Sequence, residues 1–361
     1  MRIIFTVTND LTYDQRMTRI CSSLANAGHQ ILLVGVKRKN STQFEERKYL
    51  QKRLDVIMQK GFGFYSLFNI HLFFYLLFKK CDAICCIDLD TMPAVYFATA
   101  IKKKIRIYDA HEYFSQLKEV ITRPRVYKVW HFIEKKMVPA FKLGYTVSES
   151  IADEFQKLYH VNYLTIRNAP LLKEYEHKIK NAKLIYYQGS VNEGRCFEML
   201  IPAMKYVNTE MVIYGDGNFM AQTQQLIKEN NLEHKVITKG KINPEELELT
   251  IADAYIGINL VEPVGLNQYY SLANKFFDYI HHNIPQVTMK FPEYEKINNQ
   301  YEVALLIDNC TVECIAEAIN KLLDNEELYA RLANNCNDAK KVYNWQEEER
   351  KLISFYQSIN G

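Results

Sequence analysis

Short apolar runs alternate with helical stretches from the first residues almost to the last, and this alternation restricts the fold more than any other feature of the chain. Residues 3–7 have the composition of a strand, and 14–27 follow a helical period closed by Gly28, which suits the left-handed position after a helix. Residues 31–34 form the next apolar run, and further strands are expected near 83–87, 105–108, 144–147 and 163–166. Ser148 is placed to cap a helix over 149–158, with Glu149, Asp153 and Glu154 near its start. Strands and helices alternating at this spacing imply a parallel, doubly wound sheet. Asn168-Ala169-Pro170 interrupts the pattern, and the polar segment to Asn181 is the expected linker. A second α/β series follows, with strands at 183–187, 211–214, 235–238, 255–260, 285–289 and 303–307, then charged helices at 326–342 and 346–358. A chain of 361 residues is long enough for two such domains, each with its own core.

Composition is that of a soluble globular protein, 48% apolar and 24% charged. The eight cysteines form no CxxC pair and no metal-like spacing with histidine, so reduced thiols, a cytoplasmic location and no metal are expected. Residues 61–80 are the most apolar window, yet Ser66, Asn69 and His71 interrupt it and a strand follows at once. A buried crossover helix is expected there, with a membrane-dipping aromatic face as the alternative. Net charge is divided unevenly: residues 1–167 hold 26 Lys+Arg against 15 Asp+Glu, and the rest holds 19 against 27. The basic excess is concentrated in 37–60 and 123–142 and suits an anionic partner, or else a scattered solvated surface.

One βα unit carries the most chemistry. After the apolar run 255–260, a polar loop ends in Ser271-Leu272-Ala273-Asn274, and a helix is expected from about Lys275 to His281. Unpaired amides at such a helix start form an anion site at the carboxyl end of the sheet. Lys275 adds a cation in the first turn, and Asp278 lies at the i+3 position. Amides and lysine suit a diphosphate, and the carboxylate suits ribose hydroxyls.

These residues resemble a known family. NKFFDYIHHNIPQV, from Asn274 on, is similar to the NKLFEYMAAGxPVI signature of family 4 glycosyltransferases. Tyr108-Asp109-Ala110-His111-Glu112 resembles that family's YDxHE segment, and Asp88 to Pro93 resembles the DxDTLP of one bacterial branch. Tyr187-Gln188-Gly189 with Gly194-Arg195 resembles the start of its donor domain. The matches fall in the family's order from residue 1 to about 345.

The resemblance implies the GT-B fold: two Rossmann-like, doubly wound parallel-sheet domains facing a central cleft. An acceptor-side domain at 1–168, a donor domain at 169–342 and a helix at 343–361 returning to the first domain are expected, with Trp345 marking the crossing. It also implies donor contacts from Gly189, Ser190, Arg195, Gly215 and Lys241, and from Tyr270 through Asn274, Lys275 and Asp278. Two departures stand out. Ser190 replaces a customary arginine, leaving Arg195 and Lys275 for the diphosphate. Tyr270, eight positions before Asp278, replaces a glutamate usually placed near the donor sugar. Glu262 is another carboxylate nearby in sequence, with no place in the family's pattern. In the first domain His111 is the candidate for a donor-sugar hydroxyl, and Glu112 for orienting it or meeting the acceptor. Asp14 is a third catalytic candidate or, equally, the charge at a helix start.

The implied activity is a retaining, metal-independent transfer from a nucleotide-sugar, UDP-linked in preference to GDP-linked. A glycan or lipid-linked acceptor is expected, with an anionic inner-membrane surface as a further partner and no nucleic acid. An inverting transfer would need Asp14 or Glu112 as general base. A non-catalytic, nucleotide-binding relative is the other alternative, prompted by Ser190 and Tyr270. A dinucleotide-dependent oxidoreductase is excluded, because the first βα turn, 8–14, contains no glycine to let a pyrophosphate approach its backbone.

Overall fold

Strands buried on both faces need apolar residues at every position, and that explains why the runs above are continuous rather than alternating. The computed structural model describes residues 1–12, 14–174 and 182–359; Tyr13 and the 175–181 part of the expected linker lie outside the described residues. The chain divides into two units. The first comprises Met1–Asn168, Gly265–Asn267 and Glu348–Gly361, and the second Ala169–Val264 and Gln268–Glu347.

The first unit holds seven strands: β1 (Arg2–Thr6), β2 (Gln30–Val36), β3 (Leu50–Leu54), β4 (Ala83–Ile87), β5 (Ile105–Ala110), β6 (Leu143–Thr146) and β7 (Leu164–Thr165). All pair in parallel, in the order β3-β2-β1-β4-β5-β6-β7. The second holds β8 (Ile185–Gln188), β9 (Met211–Tyr214), β10 (Val236–Gly240), β11 (Ile256–Asn259), β12 (Gln286–Met289) and β13 (Ala304–Ile307). These too are parallel, ordered β10-β9-β8-β11-β12-β13. Strand order reverses beside β1 in one sheet and beside β8 in the other, and ligands of open α/β sheets gather at such points.

Three features differ from the sequence reading. β3 falls inside a segment read only as basic: its LQKRL sequence alternates exposed and covered residues, as an edge strand carrying lysine and arginine does. The helix Gly61–Phe78 forms, but it is not buried all round. Phe64, Phe68, Leu72 and Leu76, one stripe at four-residue spacing, face the core, whereas Ile70, Phe74 and Phe78 are exposed. Trp130, in the basic segment, is covered instead, its ring centroid 4.9 Å from that of Phe114 and 5.2 Å from that of Tyr65.

The final helix, Trp345–Ser358, passes from the second unit into the first. Trp345 donates its amide to Pro170 at 2.7 Å, and three residues later Glu348 accepts from the Arg167 amide at 3.0 Å. Tyr356 is fully buried against Phe5 and Tyr145, with its hydroxyl 3.3 Å from that of Tyr145. Tyr356→Ala should therefore cost about 3–5 kcal/mol, the usual range for deleting a buried aromatic side chain. Denaturant unfolding would read this as a lowered midpoint, and an unchanged midpoint would mean the helix is not part of that core.

Candidate functional site

The second unit's helix Asn274–His281 is seated by a steric accommodation. Gly257 in β11 has no side chain, and a Cβ there would lie 2.5 Å from the Tyr279 ring. Tyr279 fills that space fully buried and donates its hydroxyl to the Tyr186 carbonyl at 3.1 Å. This fixes the start of the helix beside the carboxyl end of β8. Lys275 then places its ammonium 3.6 Å from the centroid of the Tyr187 ring, and its Cε would be 3.6 Å from a Cβ at Gly189. Burial, joined by the charge of Arg195, holds the Lys275 amine well below the usual lysine range, and Asp278 offsets part of this.

The loops after the neighbouring strands are laced to each other. The Gly189 amide donates to Tyr214 at 3.0 Å, and the Gly215 amide donates to Gly240 at 2.8 Å. Gly215, at φ +152°, lies so close that an added Cβ would meet the Gly189 carbonyl oxygen at 1.8 Å. Only glycine permits that approach. Ser190 and Lys241, directly after these glycines, are exposed. Arg195 sits in a turn, its amide donating to Asn192 at 3.2 Å. Glu262, which the sequence could not place, donates its amide to the neighbouring Gly194 carbonyl at 2.9 Å. Asp278 accepts from the Gln188 side-chain nitrogen at 2.6 Å. Gln188 is 4% exposed, and its side-chain oxygen is buried with no partner among the described residues. Gln188 is not among the expected donor contacts, although it stands next to Gly189.

The expected row of helix-start amides needs correction. The Ser271 amide donates to Gln268 at 3.2 Å and the Ala273 amide to the Tyr294 hydroxyl at 3.0 Å. A short helix, Leu266–Tyr269, runs ahead of these residues. It turns Ser271 back onto Gln268, whose carbonyl also accepts from the Ser271 hydroxyl at 2.8 Å. Donors for an anion thus come from a shorter segment than expected, with Leu272 largely covered and Asn274 exposed. Tyr270 precedes it, its ring centroid 5.5 Å from that of Tyr269.

In the first unit the strand ends beside the order reversal carry a second cluster. Asp109, fully buried, accepts from Arg16 at 3.1 Å and lies 3.0 Å from His111 Nε2. Burial alone would raise the Asp109 carboxyl; His111 and Arg16 outweigh it and hold the group below its usual range. An ionised carboxylate only accepts, so Nε2 carries the ring proton and Nδ1 is left to meet other groups. Asp109 orients His111. Asp88 holds the loop, its side chain accepting from the His111 amide at 2.9 Å and the Glu112 amide at 3.2 Å. Asp88 itself is in the left-handed region at φ +55°. The Glu112 side chain is exposed. Burial raises the Asp90 carboxyl to about 7, against the Thr8 hydroxyl that donates to it. Asp14 fills the helix-start role: it caps helix Gln15–Asn26, accepting from the Met17 amide at 2.9 Å and the Asn9 side chain at 2.6 Å. Among the described residues no group of three or more His, Cys, Asp or Glu is placed to hold a metal.

Two cations at one strand end, one of them held below its ordinary pKa, are an arrangement an anion relieves. Bound anion raises the Lys275 pKa, so between the free and bound values the complex holds one more proton than the free protein. Affinity for inorganic pyrophosphate should accordingly fall as pH rises through that window. Calorimetry in buffers of different ionisation enthalpy should show proton uptake, and Lys275→Gln should remove it. Uptake that persists in the variant would assign the proton to another group.

Residues 171–338, somewhat under half of the chain, match the family model described as Glycosyl transferases group 1. A comparison with curated sequences found no match. Among solved structures, sucrose-phosphate synthase from Thermosynechococcus elongatus superposes with a TM-score of 0.81 at 14% identity, covering 99% of both chains. HepE from Anabaena in complex with UDP-glucose gives 0.79 at 13% identity, covering 99% of this chain and 100% of that one. WaaG, a glycosyltransferase involved in lipopolysaccharide biosynthesis, gives 0.73 at 15% identity, covering 97% and 98%. With its seven- and six-stranded parallel sheets, the chain has the GT-B fold.

Proposed function

We propose that the chain is a glycosyltransferase that moves a sugar from a nucleotide-sugar to a glycan or lipid-linked acceptor, in the cytoplasm, with retention and without a metal. The observation that carries this reading is the pairing of Lys275 with Arg195 at the β8 strand end, with Asp278 held by Gln188 beside it. It lies within the stretch that matches the group 1 glycosyltransferases. HepE, which shares the fold, holds UDP-glucose, and this supports a UDP-linked donor here.

In this reading the diphosphate is the leaving group, and the protein's part is to position it and to stabilise the charge that develops as the glycosidic bond breaks. Lys275 and Arg195 supply that stabilisation. Asp278 accepts from the ribose hydroxyls, aimed by Gln188. His111, with its tautomer fixed by Asp109, contacts the donor sugar through Nδ1, and Glu112 contacts the acceptor. An inverting transfer would draw its general base from Glu112 or from Asp14, which also caps its helix.

Lys275→Ala should weaken UDP binding by about 1.5–3 kcal/mol, the range for a charge-assisted hydrogen bond. Unchanged affinity in calorimetry would remove Lys275 from the site. Asp278→Asn should weaken UDP more than pyrophosphate, because its assigned partner is ribose; equal losses would move its role to the phosphates or to folding. A panel of nucleotide-sugars scored by thermal shift and by sugar release separates catalysis from binding. UDP binding with no turnover of any donor would favour the non-catalytic reading that Ser190 and Tyr270 suggest.

A further inference from the structure

We infer that the outer face formed by helices Gly61–Phe78 and Met92–Lys102 of the first unit is a docking surface for an anionic lipid bilayer. The first of these helices is largely apolar beyond its core face, yet only its Phe64, Phe68, Leu72, Leu76 stripe is fully buried. The opposite stripe leaves Ile70, Phe74 and Phe78 at 50%, 54% and 84% exposure. An amphipathic helix of a soluble unit would carry charges there. This helix contains no charged residue at all.

The neighbouring helix continues the surface. Asn69 donates to the Asp90 carbonyl at 2.7 Å and accepts from the Ala94 amide at 3.0 Å; Lys102 donates to the Leu76 carbonyl at 2.7 Å. These bonds join the start of one helix to the middle of the other and the two carboxyl ends to each other, so the helices run side by side in the same direction. Phe97 and Ile101, four residues apart, are the exposed large apolar residues of the second helix. Exposed large apolar residues gathered on two adjacent helices in this way mark a binding surface.

Charge selects the occupant. Neither helix contains an acidic residue, and their adjoining ends carry Lys79, Lys80 and Lys103, all exposed. An aromatic and aliphatic face bordered by lysines fits the headgroup and acyl boundary of an anionic bilayer. The helix is long and apolar enough to cross a membrane by composition. Its buried stripe commits it to the unit's core, so it lies on the bilayer rather than through it. The contact therefore centres on this face and not on the basic 123–142 segment alone, whose Trp130 is covered. The inference is independent of the donor chemistry proposed above.

The test is co-sedimentation of the whole chain with phosphatidylcholine vesicles, with and without phosphatidylglycerol, at low and high salt. Wild-type protein should bind the anionic vesicles, and a fraction should stay bound at high salt, because apolar insertion is not screened. Phe74→Ser combined with Phe78→Ser and Ile101→Ser should lower partitioning by roughly tenfold or more at either salt. Lys79→Glu with Lys80→Glu and Lys103→Glu should remove the preference for phosphatidylglycerol. Both variants should keep the wild-type melting temperature, which separates loss of docking from loss of fold. Three results overturn the inference. One is binding that only Arg125→Glu with Lys128→Glu and Lys135→Glu abolishes. Another is a dimer, dissolved by Phe74→Ser, in protein that ignores vesicles. The third is no binding to any vesicle at low salt.

Discussion

The second unit is organised around an ammonium group that lacks a full complement of opposite charge. Taking a lysine amine out of water is unfavourable unless something else solvates it, and a neighbouring arginine makes matters worse. Here the Tyr187 ring lies 3.6 Å beneath the ammonium and Asp278 offsets part of the cost. Asp278 is kept in position by Gln188, the residue preceding Gly189. Gly215 can approach the Gly189 carbonyl only because Gly215 has no side chain. Remove the ammonium and these arrangements have no common purpose; with it, they hold an electropositive point that is preformed and incomplete.

Much of this was legible in the sequence, because it follows from periodicity and local chemistry. The strand 211–214 and the helix 326–342 carry their boundaries in their apolar pattern, and the structure has them as Met211–Tyr214 and Glu326–Val342. Ser148 accepts the Ile151 amide as an N-cap should, because capping depends on the nearest few residues. Lys275 and Asp278 were visible since i and i+3 share a helix face. What could not be read depends on partners distant in sequence. Gln188 meets Asp278 ninety residues away, and Arg16 meets Asp109 ninety-three away. The Ala273 amide goes to a tyrosine twenty-one residues on. β3 was missed for a different reason: an edge strand with one wet face shows little apolar signal.

The two clusters also show how differently a fold can treat its carboxylates. Asp109 is enclosed between an arginine and a histidine and stays ionised, giving His111 a fixed tautomer. Asp90, close by in sequence and also buried, meets hydroxyl and amide donors, and burial raises its carboxyl to about 7. Asp88 serves as a clasp for two consecutive amides. The motif that spans Asp88 and Asp90 thus works largely as scaffolding for the loop that presents His111.

The path of the last helix bears on how the chain acquires its structure. Leu352 and Tyr356 complete the core of the first unit, but they follow the whole of the second unit in the chain. During synthesis the residues up to Asn168 therefore emerge with the pocket around Tyr145 and Phe5 unfilled, and it stays so while all the strands of the second unit are made. Domains usually fold in order of emergence. In this chain the unit begun first is completed after the second, and an apolar socket must stay open while the whole of the second unit is made.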